Sequence, residues 1–170
     1  DNTFVFFTSD NGGYLHYEGK FDGEISSNGP CRGQKTDVWE GGHRVPAIAW
    51  WPGKIAPGTV SNETVMTMDI LPTFTGLAGV AAPENLDGTT LAPHLFEGDN
   101  LPERDLFWRI GNARAARRGP WKLIVEEKRA FLFNLDDDIS EEHDIASEHP
   151  GVAQALRAAL QAWENDVDNG

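Results

Sequence analysis

Four short apolar segments, spaced too closely for anything but hairpins, fill the middle of the second half of this 170-residue chain. They lie at 106–110, 113–118, 121–126 and 130–135, with Gly111-Asn112, Gly119-Pro120 and Glu127-Lys128-Arg129 in the turns between them. Strands joined by so few residues pair as antiparallel neighbours, because a parallel crossover needs about a dozen residues or more. The spacing therefore predicts an antiparallel meander. Beyond it, Val152, Leu156, Leu160 and Trp163 recur at helical spacing, which predicts a helix covering one face of the small sheet. Trp108 and Trp121 are expected in the core of that sheet.

The first half has a different texture. Residues 3–7 form a continuous apolar run ended by Ser9-Asp10-Asn11-Gly12-Gly13, the pattern of a strand buried on both faces that empties into a loop. A stretch rich in Gly, Asn and Ser follows through Gly33 and reads as a long loop. Residues 46–51, closed by Pro52-Gly53, predict a second core strand. Asp69 is placed to cap a helix over 70–78, with Gly79 as its stop. Residues 83–102 read as a Pro/Gly/Asp-rich connection, so the expected division is 1–100 and 101–170. The chain enters its first core run directly after Asp1, without a Met or a basic leader. The expectation is a truncated N-terminus, with the sheet neighbours of that run elsewhere.

Charge and cysteine content narrow the function classes. A net charge of −13 argues against nucleic-acid binding. It also gives no long-range attraction for an anionic substrate, so any anion site must be built locally. No apolar stretch approaches the roughly 20 residues of a membrane span. The single Cys31 excludes an internal disulfide and leaves the compartment undecided.

Two constellations carry possible chemistry. Asp10-Asn11 offers a carboxylate beside a carboxamide where a core strand ends, a donor pair suited to a hard cation such as Ca²⁺. Taken alone, Asp-Asn-Gly is more often a tight turn. Lys35 stands in a glycine-rich loop that leads to the second strand, where an ammonium group can meet an anion. Taken alone, an exposed lysine is the commoner reading. Glu40-Gly41-Gly42 and Arg44 equally suit a structural turn with an ion pair. Tyr14, His16 and Tyr17 follow the Asp-Asn pair and are read first as ordinary loop residues, with the lining of a substrate pocket as the alternative. His43 is assigned no role. Asp136-Asp137-Asp138 lacks the spread of ligands and the central glycine of a calcium loop and reads as a turn between strand and helix.

Together the segments resemble the sulfatase family. The series is Thr8-Ser9-Asp10-Asn11-Gly12-Gly13, Gly33-Gln34-Lys35, Trp39-Glu40-Gly41-Gly42, Arg44 and Pro46. It continues through Ala49-Trp50-Trp51-Pro52-Gly53, Asp69-Ile70-Leu71-Pro72-Thr73 and Leu77-Ala78-Gly79, and into the tail at Trp121-Lys122-Leu123. The likeness is greatest to the arylsulfatase and N-acetylgalactosamine-6-sulfatase branch. It implies the C-terminal part of an alkaline-phosphatase-like α/β domain, followed by the small sheet and its helix. It also implies a sulfuric ester hydrolase acting on aryl or sugar sulfates, with Asp10 and Asn11 as calcium ligands and Lys35 as the sulfate-contacting, catalytic lysine; His16 is a weaker candidate for substrate contact. The family's formylglycine arises in a C/S-x-P-S/A-R motif. Cys31-Arg32-Gly33-Gln34-Lys35 does not fit it, so the nucleophile is expected upstream of this chain and the isolated chain is expected to be inactive. Two departures bear on Lys35: Gln34 stands where the family usually has Gly, and Asp37 adds a nearby negative charge. Members of this branch are often exported. The rival readings are a phosphatase or phosphonate-monoester hydrolase of the same superfamily, a non-catalytic module that binds a sulfated glycan, and a structural piece of a larger assembly.

Overall fold

A computed structural model describes residues 2–16 and 25–170. The chain forms two compact units. One comprises the residues up to Thr8 together with Pro46–Pro102, and the other Ser9–Val45 with Glu103–Gly170. One seam of this partition falls between Pro102 and Glu103. The segment Ser9–Val45, ahead of that seam in sequence, belongs to the second unit.

In the first unit β1 (Val5–Thr8) pairs antiparallel with β2 (Ala47–Trp50), Val5 opposite Trp50 and Phe7 opposite Ile48. The first strand was expected to be covered on both faces, with its further sheet neighbours outside this chain; within the chain one face of the pair is covered and the other is open. Phe4, Trp51, Phe74 and Phe96 cluster with ring centroids 5.4–6.4 Å apart. The alternate residues Val5, Phe7, Ile48 and Trp50 are exposed, Phe7 by 65%. A continuous apolar run gives no period by which to tell a covered face from an open one.

The helix expected after Asp69 is α2 (Ile70–Leu77), ended at Gly79 with φ of 66°. Buried Asp69 does not cap it with its side chain. Its carboxylate instead accepts from the backbone N–H of Met66 (2.7 Å) and of Thr89 (2.9 Å), tying two loops together. The connection 83–102 contains a further short helix, α3 (Ala92–Glu97), with Pro in its first turn and Gly98 left-handed after it.

The second unit holds the meander, β3 (Asp105–Ile110), β4 (Ala113–Arg118), β5 (Trp121–Glu126) and β6 (Arg129–Asn134), in sequential order. Its register places Ala116, Leu123 and Leu132 side by side. On this face they meet Leu156 and Leu160 of α4 (Pro150–Asn169). Phe107 stacks on Trp163 at 5.2 Å. Side chains alternate across a strand, so Ala115, Ile124 and Phe133 line the opposite face, and there Val38 and Trp39 pack on them. The sheet is thus covered by a helix on one side and by the segment leading out of the Lys35 loop on the other. As expected, the acidic stretch after β6 is a turn, with Asp138 accepting from the backbone N–H groups of Glu142 and His143.

Candidate functional site

The Asp10 and Lys35 segments, apart in sequence, meet at the backbone. Gly12 N–H donates to Gly42 O (3.0 Å), Lys35 N–H to Gly13 O (3.1 Å), and Gly41 N–H to Arg32 O (2.6 Å). A Cβ on Gly12 would fall on the carbonyl oxygen of Gly41, and one on Gly42 on that of Asp37. Only glycine lets the strands of this knot approach so closely. Asn28 braces it, accepting from Gly13 N–H (2.9 Å) and donating to Gly13 O (2.8 Å).

Asp10 is exposed and Asn11 half-buried. Asn11 Nδ2 donates to Gly12 O (3.0 Å), which orients the amide and leaves Oδ1 as an oxygen donor. Adjacent carboxylate and amide oxygens suit a hard cation, but they are two ligands of the six to eight that calcium takes. Among the described residues no group of three or more His, Cys, Asp or Glu is arranged to hold a metal ion. The pair therefore fits as part of a coordination shell.

Lys35 is half-buried, with Nζ 5.7 Å from the centre of the Tyr14 ring. The turn after it is tightly made: Gln34 N–H donates to Asp37 Oδ2 and Asp37 N–H to Gln34 O, both at 2.9 Å. Thr36 is held at φ of 78°, a conformation that costs a β-branched residue energy and that clusters at functional sites. The two unusual residues flanking Lys35 have structural work here. Asp37 closes the turn. The Gln34 side chain accepts from the backbone N–H of Leu15 (2.8 Å) and His16 (3.1 Å), bolting the loop after Asp10-Asn11 to the lysine loop. His16 itself is exposed, and Tyr17 lies outside the described residues.

Sequence reading missed the group beneath this knot. Glu40, in the one-turn helix α1 (Glu40–His43), is fully buried. It meets Lys122 Nζ at 2.9 Å, His43 Nε2 at 3.0 Å, Arg44 Nη1 at 3.1 Å and Arg117 Nη1 at 3.6 Å. Lys122, also fully buried, lies 2.8 Å from Glu141 Oε1. Burial alone would raise the Glu40 pKa, but the hydrogen bond from His43 and the charge of Lys122 hold it well below the usual carboxylate range. For Glu141 burial prevails over Lys122 and the shift is upward. Burial lowers the pKa of His43 against the opposing pull of Glu40. Its ring stacks on Trp108 at 4.3 Å, and Nδ1 is buried without a hydrogen-bond partner among the described residues. The Glu40–Arg44 pair was legible from helical spacing; Lys122 and Glu141 come from distant segments and carry no local signal.

The Sulfatase family profile matches residues 1–80. N-acetylgalactosamine-6-sulfatase of Sus scrofa is 46% identical over 124 residues, covering 71% of this chain and 23% of that protein. The chain belongs to the sulfatase family. An arylsulfatase of Hemicentrotus pulcherrimus is 40% identical over 133 residues, covering 76% of this chain and 23% of that protein. The crystal structure of Ps i-CgsB in complex with k-i-k-neocarrahexaose superposes with a TM-score of 0.85 at 32% identity, over 96% of this chain and 36% of that one. The sulfatase chain described here thus spans about a quarter of the length of the curated relatives it matches. The fold class expected from the sequence, the C-terminal part of an alkaline-phosphatase-like α/β domain followed by a small antiparallel sheet with a covering C-terminal helix, is the one the chain has.

Proposed function

We propose that this chain supplies part of the active site of a calcium-dependent sulfatase that hydrolyses sulfate esters of phenols or sugars. The observation that carries the reading is the backbone knot that brings Asp10-Asn11 and Lys35 together, since neither element alone distinguishes a site from a turn. Asp10 and Asn11 would hold one side of the calcium ion, and the formylglycine nucleophile would lie outside this chain. When bound, the cation supplies Lewis-acid polarisation and a template for the ester, and the formylglycine supplies the nucleophile.

The chain's own residues have definable roles. The Lys35 ammonium lies in a loop fixed at both ends, so it meets a sulfate oxygen without reorganising and offsets charge that grows as the S–O bond breaks. Asn11 presents an oxygen whose orientation is set by its own bond to Gly12. Tyr14 lies beside the Lys35 ammonium and would limit its hydration. His16, exposed in the loop after Asp10-Asn11, would contact the alcohol portion of the substrate. Relatives include an N-acetylgalactosamine-6-sulfatase, and Ps i-CgsB is seen with k-i-k-neocarrahexaose; a sulfated sugar is accordingly the favoured substrate class.

Hydrolysis of 4-nitrophenyl sulfate and 4-nitrophenyl phosphate by the complete polypeptide tests this. Faster release from the sulfate is the expected result. Faster release from the phosphate would replace the sulfatase reading with phosphoryl transfer. The 170-residue chain by itself is expected to release neither product.

A further inference from the structure

Both arms of the loop that carries Lys35 end on one residue of the C-terminal half. Ahead of Lys35, the Arg32 guanidinium lies 3.7 Å from the centre of the Trp39 ring and donates to Glu141 O at 3.0 Å. After it, Glu40 N–H donates to Glu141 Oε2 at 2.7 Å. Lys122 joins the two carboxylates, and Lys122, Glu40 and Glu141 are all 0% exposed. Glu141 is also held at φ of 55°, unusual for a residue with a side chain.

Three fully buried charges are a poor way to gain stability. Desolvating an ion pair can outweigh its attraction, and well-packed apolar residues often do as well or better. What such a group can supply is a fixed geometry. Lys122 sits on β5, with β4 on one side and β6 on the other, opposite Arg117 and Phe133. From Glu40 back to Lys35 the chain is stiff: Trp39 and Val38 are buried in the sheet's core, and the Gln34–Asp37 turn is closed by two hydrogen bonds.

We propose that Lys122, clamped between Glu40 and Glu141, is a positioning residue for Lys35. The strand that bears Lys122 fixes Glu40, and Glu40 fixes the height of the lysine loop. This rests on the reading of Lys35 as the sulfate-contacting lysine.

A double-mutant cycle on the complete polypeptide, with kcat on 4-nitrophenyl sulfate and a melting curve for every variant, tests the proposal. Lys122→Met is expected to lower kcat on the order of 100-fold while the protein stays folded at the assay temperature. In the Lys35→Ala background the same change is expected to alter kcat by no more than about twofold, because the group it positions is gone. Equal losses in both backgrounds would overturn the proposal and make Lys122 a support of the fold at large. Should Lys122→Met not fold, Lys122→Met with Glu141→Gln, which removes the uncompensated carboxylate, takes its place in the cycle under the same two readings. A Lys35→Ala variant of unchanged kcat would remove the reading of Lys35 and the proposal with it; loss at Lys35 with equal Lys122 effects would remove the proposal alone.

Discussion

His43 stands among Glu40, Lys122, Arg117 and Trp108, and the direction of its shift makes a pH prediction. A histidine whose folded pKa lies below its ordinary value of 6.5 binds fewer protons folded than unfolded. Its contribution to stability is then present above that value and lost on acidification. Glu40, depressed from 4.5, acts in the same sense only at lower pH, and Glu141, raised, acts in the opposite sense. Comparison with His43→Gln isolates the histidine. Between about pH 7 and about pH 5.5 the wild type should lose Tm relative to that variant; parallel curves would show that His43 titrates normally. Gly12 gives a second residue-scale prediction. Its absent side chain is filled by the Gly41 carbonyl, so Gly12→Ala should cost about 1–3 kcal/mol or more in chemical denaturation. At this scale Asp10, Asn11 and Lys35 stood out in the sequence as candidates, because their neighbours in the chain form recognisable motifs. It did not show Lys122. A lysine at the start of an apolar strand reads as solvent-facing, and only the tertiary fold brings two carboxylates over it.

Among the elements, β3 to β6 and α4 were the most legible, since two-residue turns and helical spacing are local signals. Leu156 is 1% exposed against the sheet, and Leu156→Ala should destabilise by about 2–5 kcal/mol in the same denaturation assay. Little effect would mean that α4 does not form the cover described. The first-half strands were legible as strands. Val5, Phe7, Ile48 and Trp50 share an open face that a run without alternation conceals. Asp69 was placed correctly at the head of α2, yet its carboxylate holds Met66 and Thr89. A capping residue and a loop tie use the same side chain, and local sequence does not separate them.

Within the second unit, the small sheet carries more than its own helix. One face takes α4 and the other takes Val38 and Trp39, which follow Lys35 in the chain. The meander is thereby the base on which the candidate site is mounted, a relation between residues such as Glu40 and Lys122, 82 apart in sequence, that no local pattern announces. Asp10 and Lys35 are proposed to serve one calcium-dependent sulfate-ester site. The most direct test is the calcium dependence of sulfate release by the complete polypeptide, wild type against Asp10→Ala. Asp10→Ala is expected to raise the calcium concentration needed for half-maximal release by about 10-fold or more. An unchanged calcium requirement, or release that needs no calcium in the wild type, would contradict it.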